Sequence, residues 1–163
     1  MFHMNLHRTP RFLLVPVLVL TPLFSQAPVT GVADPEALTK SPDKKLEANK
    51  KLIYNLFREI LEARHMELAD KYLAPDFIQH NPNAGNGLDA LKQYFAKSSP
   101  QPISPKLKRP ITAILAEGDM VTVVYPRELT DPKDPSKKYS TAGFDMYRIQ
   151  NGKVVEHWDA ATK

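Results

Sequence analysis

The sequence contains no cysteine, and this absence excludes several kinds of protein. A chain without thiols forms no disulfide, holds no thiolate-bound metal and has no cysteine for a lipoprotein anchor. A strong excess of one charge is also missing, since 22 Lys and Arg stand against 18 Asp and Glu, and Arg8 and Arg11 lie in an N-terminal segment apart from the rest. We therefore expect no nucleic-acid-binding surface.

What is present is ordinary for a globular protein. The chain has 163 residues, of which 42% are hydrophobic and 25% are charged. This length predicts one domain with a sizeable apolar core.

The N-terminal segment has the pattern of a secretory signal peptide. Arg8 and Arg11 precede an apolar run at 12–24 that is short for a membrane span and contains two prolines. Small residues permit cleavage after Ala27 or after Ala33, and a retained membrane anchor is the alternative. The pattern predicts a secreted or periplasmic protein that has no contact with a membrane once the signal peptide is cleaved.

The chain divides into three parts on this basis. We assign residues 1–33 to the signal peptide and the start of a flexible lead-in, 34–45 to a linker, and 46–163 to the folded domain. The stretch at 28–44 is charged, interrupted by proline and without periodicity, which is typical of a flexible segment.

Helical periodicity dominates the first half of the domain. Apolar residues recur at helical spacing over 46–61, 67–73 and 88–97, which predicts three helices. Residues 77–80 form a short extended piece, and the chain leaves it sharply because Pro82 holds Asn81 in an extended conformation.

Alternation of apolar and polar residues dominates the second half. It predicts strands at 108–117 and 120–129, then a final hairpin of 138–150 and 153–160. Pro126 marks a bulge, a sheet edge or a strand end, because proline donates no hydrogen bond. Three helices followed by an antiparallel meander predict an α+β fold, in which a curved sheet wraps over the helices and leaves a conical cavity.

The final hairpin turns at Asn151-Gly152, a dipeptide typical of tight hairpin turns. Its strands carry three ionisable residues that we expect to be half buried, Asp145, His157 and Asp159. Whether these side chains share a face depends on the register, since a shift of one residue moves a side chain to the other face.

Two registers are open. A two-residue turn sends Asp145 and Asp159 to opposite faces, whereas a three-residue loop with a bulge at Gly152 places Asp145 opposite His157 and leaves Asp159 on the same face. We favour the bulged loop, because it gathers four polar side chains on one surface: Asp145, Tyr147, His157 and Asp159. The other surface then carries Phe144, Met146, Val154 and Trp158.

Three stretches together resemble the SnoaL-like polyketide cyclase family of the NTF2-like superfamily. They are YLAPDFIQHNP at 72–82, AEGD at 116–119 ahead of a Val-rich strand, and FDMYRIQNGKVVEHWD at 144–159. The resemblance covers roughly 46–159. It implies an NTF2-like cone, with three N-terminal helices packed on a curved antiparallel sheet, and a homodimer.

The resemblance also implies a chemistry. In the cyclases of this family, an aspartate at the position matched by Asp159 is the general acid/base of an intramolecular aldol ring closure that uses no cofactor. This chain departs from the pattern, because Asp145 stands where those cyclases have a histidine. It also ends four residues after Asp159, without their longer C-terminal tail.

These observations predict a cofactor-independent enzyme of the aldol-condensation or cyclase type, or a related lyase or isomerase, acting on a small hydrophobic carbonyl compound. We expect Asp159 to act as base, Asp145 as its partner or as a protonated donor, and His80 as an orienting or proton-shuttling group. The expected ligand contacts are Tyr54, Asn81, Tyr147, His157 and Trp158.

Other interpretations stay open. Asp145 and His157 would also suit a cross-strand ion pair, and the domain would then be a non-catalytic small-molecule-binding or dimerisation module. His80, His157 and Asp159 have the side-chain types of metal ligands but no short ligand spacing, so we expect no metal and no cofactor. The expected partners are a small hydrophobic ligand and a second copy of the chain.

Overall fold

The computed structural model describes residues 27–161. The predicted signal peptide lies almost wholly outside the described residues. Among the residues that are described, no helix is both long enough and apolar enough to cross a membrane.

Three α-helices lie in the first half of the folded domain, as predicted. The first begins after Asp43, whose side chain accepts hydrogen bonds from the backbone N–H groups of Lys45 and Leu46. It continues without a break into a π-helical segment at Leu56–Glu62, and a short 3₁₀ turn at Met66–Leu68 leads into the second. The helices are α1 (Lys44–Asn55), α2 (Ala69–Tyr72) and α3 (Gly87–Tyr94).

Five strands form one sheet in the order β1-β5-β4-β3-β2. The strands are β1 (Leu73–Gln79), β2 (Ala113–Glu117), β3 (Met120–Thr130), β4 (Lys138–Gln150) and β5 (Lys153–Asp159). The predicted α+β class is therefore confirmed. One detail differs, because β1 pairs with β5 in parallel while the other pairs are antiparallel. The long connection from β1 through α3 permits this parallel return.

The core lies between one face of the sheet and the first helical segment. Side chains of α1 and its π-helical continuation are buried there against β3, β4 and β5. We call this the inner face of the sheet and the opposite one the outer face. The central members of the core are Ile53, Phe57, Ile60, Val121, Val123, Ile149 and Val154.

Pro126 lies inside β3, at a point where that strand has become an edge. It pairs with Ala142 of β4 on one side. On the other side, the pairing with β2 ends near Val124, whose carbonyl accepts from the N–H of Thr112. The missing N–H of Pro126 therefore faces the open edge, which is the edge position predicted among the three alternatives.

The strand β2 is shorter than predicted, since it begins at Ala113 rather than at Lys108. The residues before it are engaged elsewhere. The N–H of Leu107 donates to the hydroxyl of Tyr54 at 3.0 Å, and the N–H of Lys108 donates to the carboxylate of Glu62. This segment therefore leaves the sheet and contacts the helical layer.

The lead-in is more ordered than predicted. Pro35–Thr39 forms a 3₁₀ helix against α1, with Pro35 and Thr39 buried. Before it, the N–H of Val32 donates to the carbonyl of Ile111 at 2.8 Å, and the hydroxyl of Thr112 donates to the carbonyl of Thr30 at 2.8 Å. The expectation of a flexible segment is corrected here, because these backbone groups find partners at the start of β2.

The two candidate cleavage points differ in what they leave on the domain. A chain that begins at Pro28 keeps these contacts, whereas one that begins at Asp34 loses them. We expect the shorter chain to be less stable by about 1–3 kcal/mol, since each such hydrogen bond contributes about 0.5–1.5 kcal/mol. Urea unfolding of both chains measures the difference.

Thr112→Val provides the matched control for this comparison. It should destabilise the longer chain by removing the bond to Thr30, and should leave the shorter chain nearly unchanged. Equal stability of the two chains would show that the segment does not support the domain.

Candidate functional site

The β4–β5 hairpin has a two-residue turn. Asn151 has φ 50° and Gly152 has φ 72°, and two successive residues with positive φ are what a type I′ turn requires. Gln150 pairs directly with Lys153. The predicted three-residue loop with a bulge at Gly152 is therefore wrong.

The bulge lies further along the hairpin instead. Ile149 pairs with Val154, but Arg148 pairs with Glu156, so Val155 is the extra residue in β5. Beyond Val155, each side chain of β5 therefore changes face: it lies on the face opposite to the one that it would occupy in a two-residue hairpin without a bulge. Val154, predicted on the surface away from the ionisable residues, is fully buried on the inner face beside Ile149.

This bulge brings the ionisable residues to the inner face. Asp145 lies opposite Asp159, rather than opposite His157 as predicted, and Tyr147 lies opposite His157. The rings of Tyr147 and His157 stack with centroids 4.6 Å apart. One ligand atom from each of Asp145, His157 and Asp159 lies within 4.8 Å of the others. The grouping predicted for one face is present, although a different bulge produces it.

The protonation of His157 is determined by Gln79, the last residue of β1. The Oε1 atom of Gln79 accepts a hydrogen bond from the backbone N–H of Asn81 at 2.9 Å. A backbone N–H always donates, so an amide oxygen must occupy this position. The same oxygen lies 2.9 Å from Nδ1 of His157, which must therefore carry the proton.

The other ring nitrogen of His157 faces Asp145. Its Nε2 lies 3.6 Å from Oδ1 of Asp145. Nε2 is buried and has no hydrogen-bond partner among the described residues. In the neutral ring this nitrogen holds the lone pair, because Nδ1 holds the proton. A proton that arrives at Asp145 therefore has a basic atom next to it.

Asp159 is held by two donors. Its Oδ2 accepts from Nδ2 of Asn81 at 2.6 Å, and its Oδ1 accepts from the backbone N–H of Ala161 at 2.9 Å. Asn81, predicted to contact the ligand, thus positions the carboxylate of Asp159.

A cavity of about 380 Å³ opens beside these side chains. Its polar wall comes from the inner face of the sheet, and its remaining walls are mostly apolar side chains of the helices and β1. The polar wall comprises Gln79, Tyr125, Asp145, Tyr147, His157 and Asp159, and the apolar walls include Leu56, Ile60, Leu61, Phe77, Leu91 and Phe95. This combination suits a small, largely apolar ligand with one or two polar groups.

Two tyrosines of the cavity keep their protons over the physiological pH range. Burial, reinforced by the nearby carboxylate of Asp145, raises the pKa of Tyr125 to about 12. Burial also raises the pKa of Tyr147 well above its ordinary value, again with a contribution from Asp145. Both hydroxyls are therefore neutral hydrogen-bond donors in the cavity wall.

Tyr125 was not among the predicted site residues, and a glycine accounts for its position. Tyr125 pairs with Gly143 across β3 and β4. A Cβ atom at position 143 would lie 2.3 Å from the Tyr125 ring and 2.6 Å from Cδ of Arg127. Only glycine leaves room for both side chains. A glycine inside an otherwise regular strand is a sequence feature that indicates such a close approach.

Besides Asn81, three predicted site residues lie outside the cavity. Tyr54 is buried in the core, where its hydroxyl accepts from Leu107. His80 and Trp158 lie on the outer face, where their rings stack at 4.9 Å. Nε2 of His80 lies 2.8 Å from a carboxylate oxygen of Glu156. The alternation of β1 explains the placement of His80, because Phe77 and Gln79 face inward and the next residue must face outward.

Within the described part of the chain, Asp145, His157 and Asp159 form a group able to hold a metal ion, because they combine ligand types that divalent cations accept. The set considered from the sequence, with His80 in place of Asp145, is not assembled. His80 and His157 lie on opposite faces of the sheet.

Comparison with known proteins gives a family. Residues 55–157 match the model of the SnoaL-like domain. No curated protein matches the chain.

Several solved structures that are similar to this chain have low sequence identity to it. An NTF2-like protein of unknown function from Burkholderia pseudomallei is 16% identical over 71% of this chain and 91% of its own, with a TM-score of 0.49. A candidate SnoaL-like polyketide cyclase from Jannaschia sp. CCS1 is 19% identical over 74% and 90%, with a TM-score of 0.49. A candidate polyketide cyclase from Acidithiobacillus ferrooxidans is 19% identical over 74% and 89%, with a TM-score of 0.47.

The assignment rests on the family match, which spans β1 to β5 and most of the cavity wall described above. The match covers more than half of the chain. The chain belongs to the SnoaL-like domain family.

Proposed function

We propose that the protein is a cofactor-independent acid–base enzyme of the aldol-condensation or cyclase type, or a related lyase or isomerase. Its substrate would be a small hydrophobic carbonyl compound bound in the cavity. The observation that carries this proposal is the grouping of Asp145, His157 and Asp159 in one wall of an otherwise apolar cavity. Membership of the SnoaL-like family supports the fold and the cavity, and the chemistry is inferred from the residues.

Asp159 is the proposed base. It lies in the cavity wall, and Asn81 and Ala161 hold its two oxygens in place. In the proposed step it removes a proton from the carbon next to the substrate carbonyl, which gives an enolate. A fixed carboxylate in a mostly apolar cavity is suited to this role, because it needs no reorganisation before it accepts the proton.

Tyr125 and Tyr147 are the proposed donors to the enolate oxygen. Both line the cavity, and their raised pKa values keep the hydroxyl protons in place while negative charge develops on the substrate. Neutral donors aimed at a developing oxyanion lower the barrier most where water is excluded.

Asp145 and His157 are the proposed proton relay. In a ring closure, the enolate carbon bonds to a second carbonyl carbon, and the resulting alkoxide must receive a proton. Asp145, protonated before this step, would deliver it. The proton that Asp159 removed would then return to Asp145 through Nε2 of His157, which accepts and releases it while Nδ1–H stays bonded to Gln79. The proton removed by Asp159 balances the one delivered, so no net proton is consumed.

Asp159→Asn tests the proposed base. With 2-tetralone as a probe, the wild-type chain should accelerate exchange of the α-protons in D₂O, followed by NMR. The variant should lose at least about 100-fold of that acceleration, the lower end of what a general base contributes. Its affinity for the ketone should change by less than about fivefold, since the side chain keeps its shape.

Asp76→Asn is the matched control, because Asp76 is an exposed aspartate on β1. It should leave the exchange rate unchanged. The same rates should be found with excess EDTA if the chemistry uses no metal. Exchange by Asp159→Asn at the wild-type rate would remove Asp159 from the catalytic role.

The alternative function is a non-catalytic binding or dimerisation module. Apolar side chains exposed on the outer face favour a contact between copies of the chain: Leu115 is 60% exposed, Ile78 49% and Phe144 48%. We propose that this face forms a homodimer.

Phe144→Glu tests the proposed dimer. The variant should sediment as a monomer where the wild type sediments as a dimer, while the cavity still binds its ligand. A wild-type chain that sediments as a monomer at micromolar concentration would exclude the dimer.

A further inference from the structure

Two arginines at the mouth of the cavity have no acidic partner in the part of the chain that the structure describes. Arg109 and Arg127 line an outer opening of about 490 Å³ that also contains Tyr125 and Asp159. Arg109 and Tyr125 belong to the inner cavity as well, so the two spaces are continuous. Among residues 27–161, no carboxylate lies within 4.0 Å of either guanidinium, although Arg58 pairs with an acid in this way.

Aromatic rings hold the Arg109 guanidinium in place. Its central carbon lies 5.7 Å from the centroid of the Tyr125 ring and 5.9 Å from that of Phe57. Stacking on aromatic faces orients a guanidinium without using its N–H donors. Those donors make no hydrogen bond to another described residue and can bind a group that enters from the mouth. Part of the entropic cost of ordering the side chain is already met.

The aliphatic part of the Arg127 side chain lies on the same face of the sheet as Tyr125. Its Cδ passes over Gly143, next to the Tyr125 ring, and a side chain at position 143 would displace both. Arg127 is half-buried, whereas Arg109 is exposed. Arg109 and Arg127 thus both lie next to Tyr125 at the cavity entrance.

The positive charges of Arg109 and Arg127 affect the pKa values of tyrosines inside the cavity. Burial and the carboxylate of Asp145 raise the pKa of Tyr125, and the positive charges of Arg127 and Arg109 act in the opposite direction. Arg109 has the same effect on the pKa of Tyr147. The two arginines therefore favour a negatively charged group at the mouth, whereas the carboxylates of Asp145 and Asp159 act against one.

We propose that the substrate is a carbonyl compound that also carries a carboxylate, with the carboxylate bound by Arg109 and Arg127 at the mouth and the apolar body inside the cavity. A planar carboxylate fits guanidinium donors in a bidentate manner. The reactive carbonyl then lies deeper, toward the tyrosine hydroxyls and next to Asp159, which lines both spaces. This inference rests on the proposed function to the extent that the cavity is the binding site.

Octanoate and octanamide are suitable probes, because they share one apolar chain and differ in the charge of the head group. Calorimetric titration of the full chain at neutral pH and moderate ionic strength measures both dissociation constants. We expect octanoate to bind about tenfold tighter than octanamide, which one charge-assisted interaction is sufficient to produce.

The double variant Arg109→Gln/Arg127→Gln should remove this preference. Its dissociation constants for the two probes should agree within about twofold, with octanamide bound as by the wild type. The control is Lys97→Gln/Lys133→Gln, which removes the same net charge at two exposed positions away from the mouth. It should keep the tenfold preference. Far-ultraviolet circular dichroism verifies that every variant is folded.

The outcomes separate this inference from the proposed function. If both probes bind equally to the wild type, or if the double variant keeps the preference, recognition of a carboxylate at the mouth is overturned while the apolar cavity remains a binding site. If neither probe binds to the wild type, the cavity is not a site for apolar ligands, and both proposals fail. Loss of the preference in the lysine control as well would assign it to net charge and would also overturn the inference.

Discussion

One extra residue in β5, Val155, determines which side chains face the cavity. In a regular two-residue hairpin the pleat would turn His157 and Asp159 toward the outer face. Of the three ionisable residues, Asp145 alone would then face the cavity. The bulge between the Ile149 and Arg148 pairs reverses this outcome for the last residues of the chain. The two carboxylates and the imidazole share one wall because of this local irregularity, and bulges are common next to functional sites for the same reason.

A second constraint comes from the parallel strand at the edge. Because β1 runs alongside β5, Gln79 lies beside His157, and its amide oxygen joins the backbone of Asn81 to the imidazole. Asn81 in turn holds Asp159 through its own amide. The last residue of β1 and the two residues that follow it therefore serve two functions: Gln79 and Asn81 organise the cavity side, and His80 faces the other way.

The sequence allowed the α+β class, the helices and the closing hairpin to be predicted, because periodicity and turn residues are local properties. It also indicated that Asp145, Tyr147, His157 and Asp159 share a face. The position of the bulge was missed, since nothing local to Val155 favours it over Gly152. Gln79, Tyr125 and Arg109 were missed because their roles depend on the pairing of distant strands and on Gly143. Tyr54 was placed in the cavity from its helix position alone, whereas its hydroxyl satisfies the backbone of Leu107.

The proton on Nδ1 of His157 is the central element of the site, because it gives Nε2 the role of base next to Asp145. Long-range ¹H–¹⁵N NMR correlation observes this directly, and His157→Gln identifies the resonance among the five histidines of the chain. We expect Nδ1 to carry a proton at every pH at which the protein is folded. Nε2 should be unprotonated whenever the ring is neutral. A neutral ring protonated at Nε2 with a bare Nδ1 would contradict the bond to Gln79, and with it the proposed relay through Asp145.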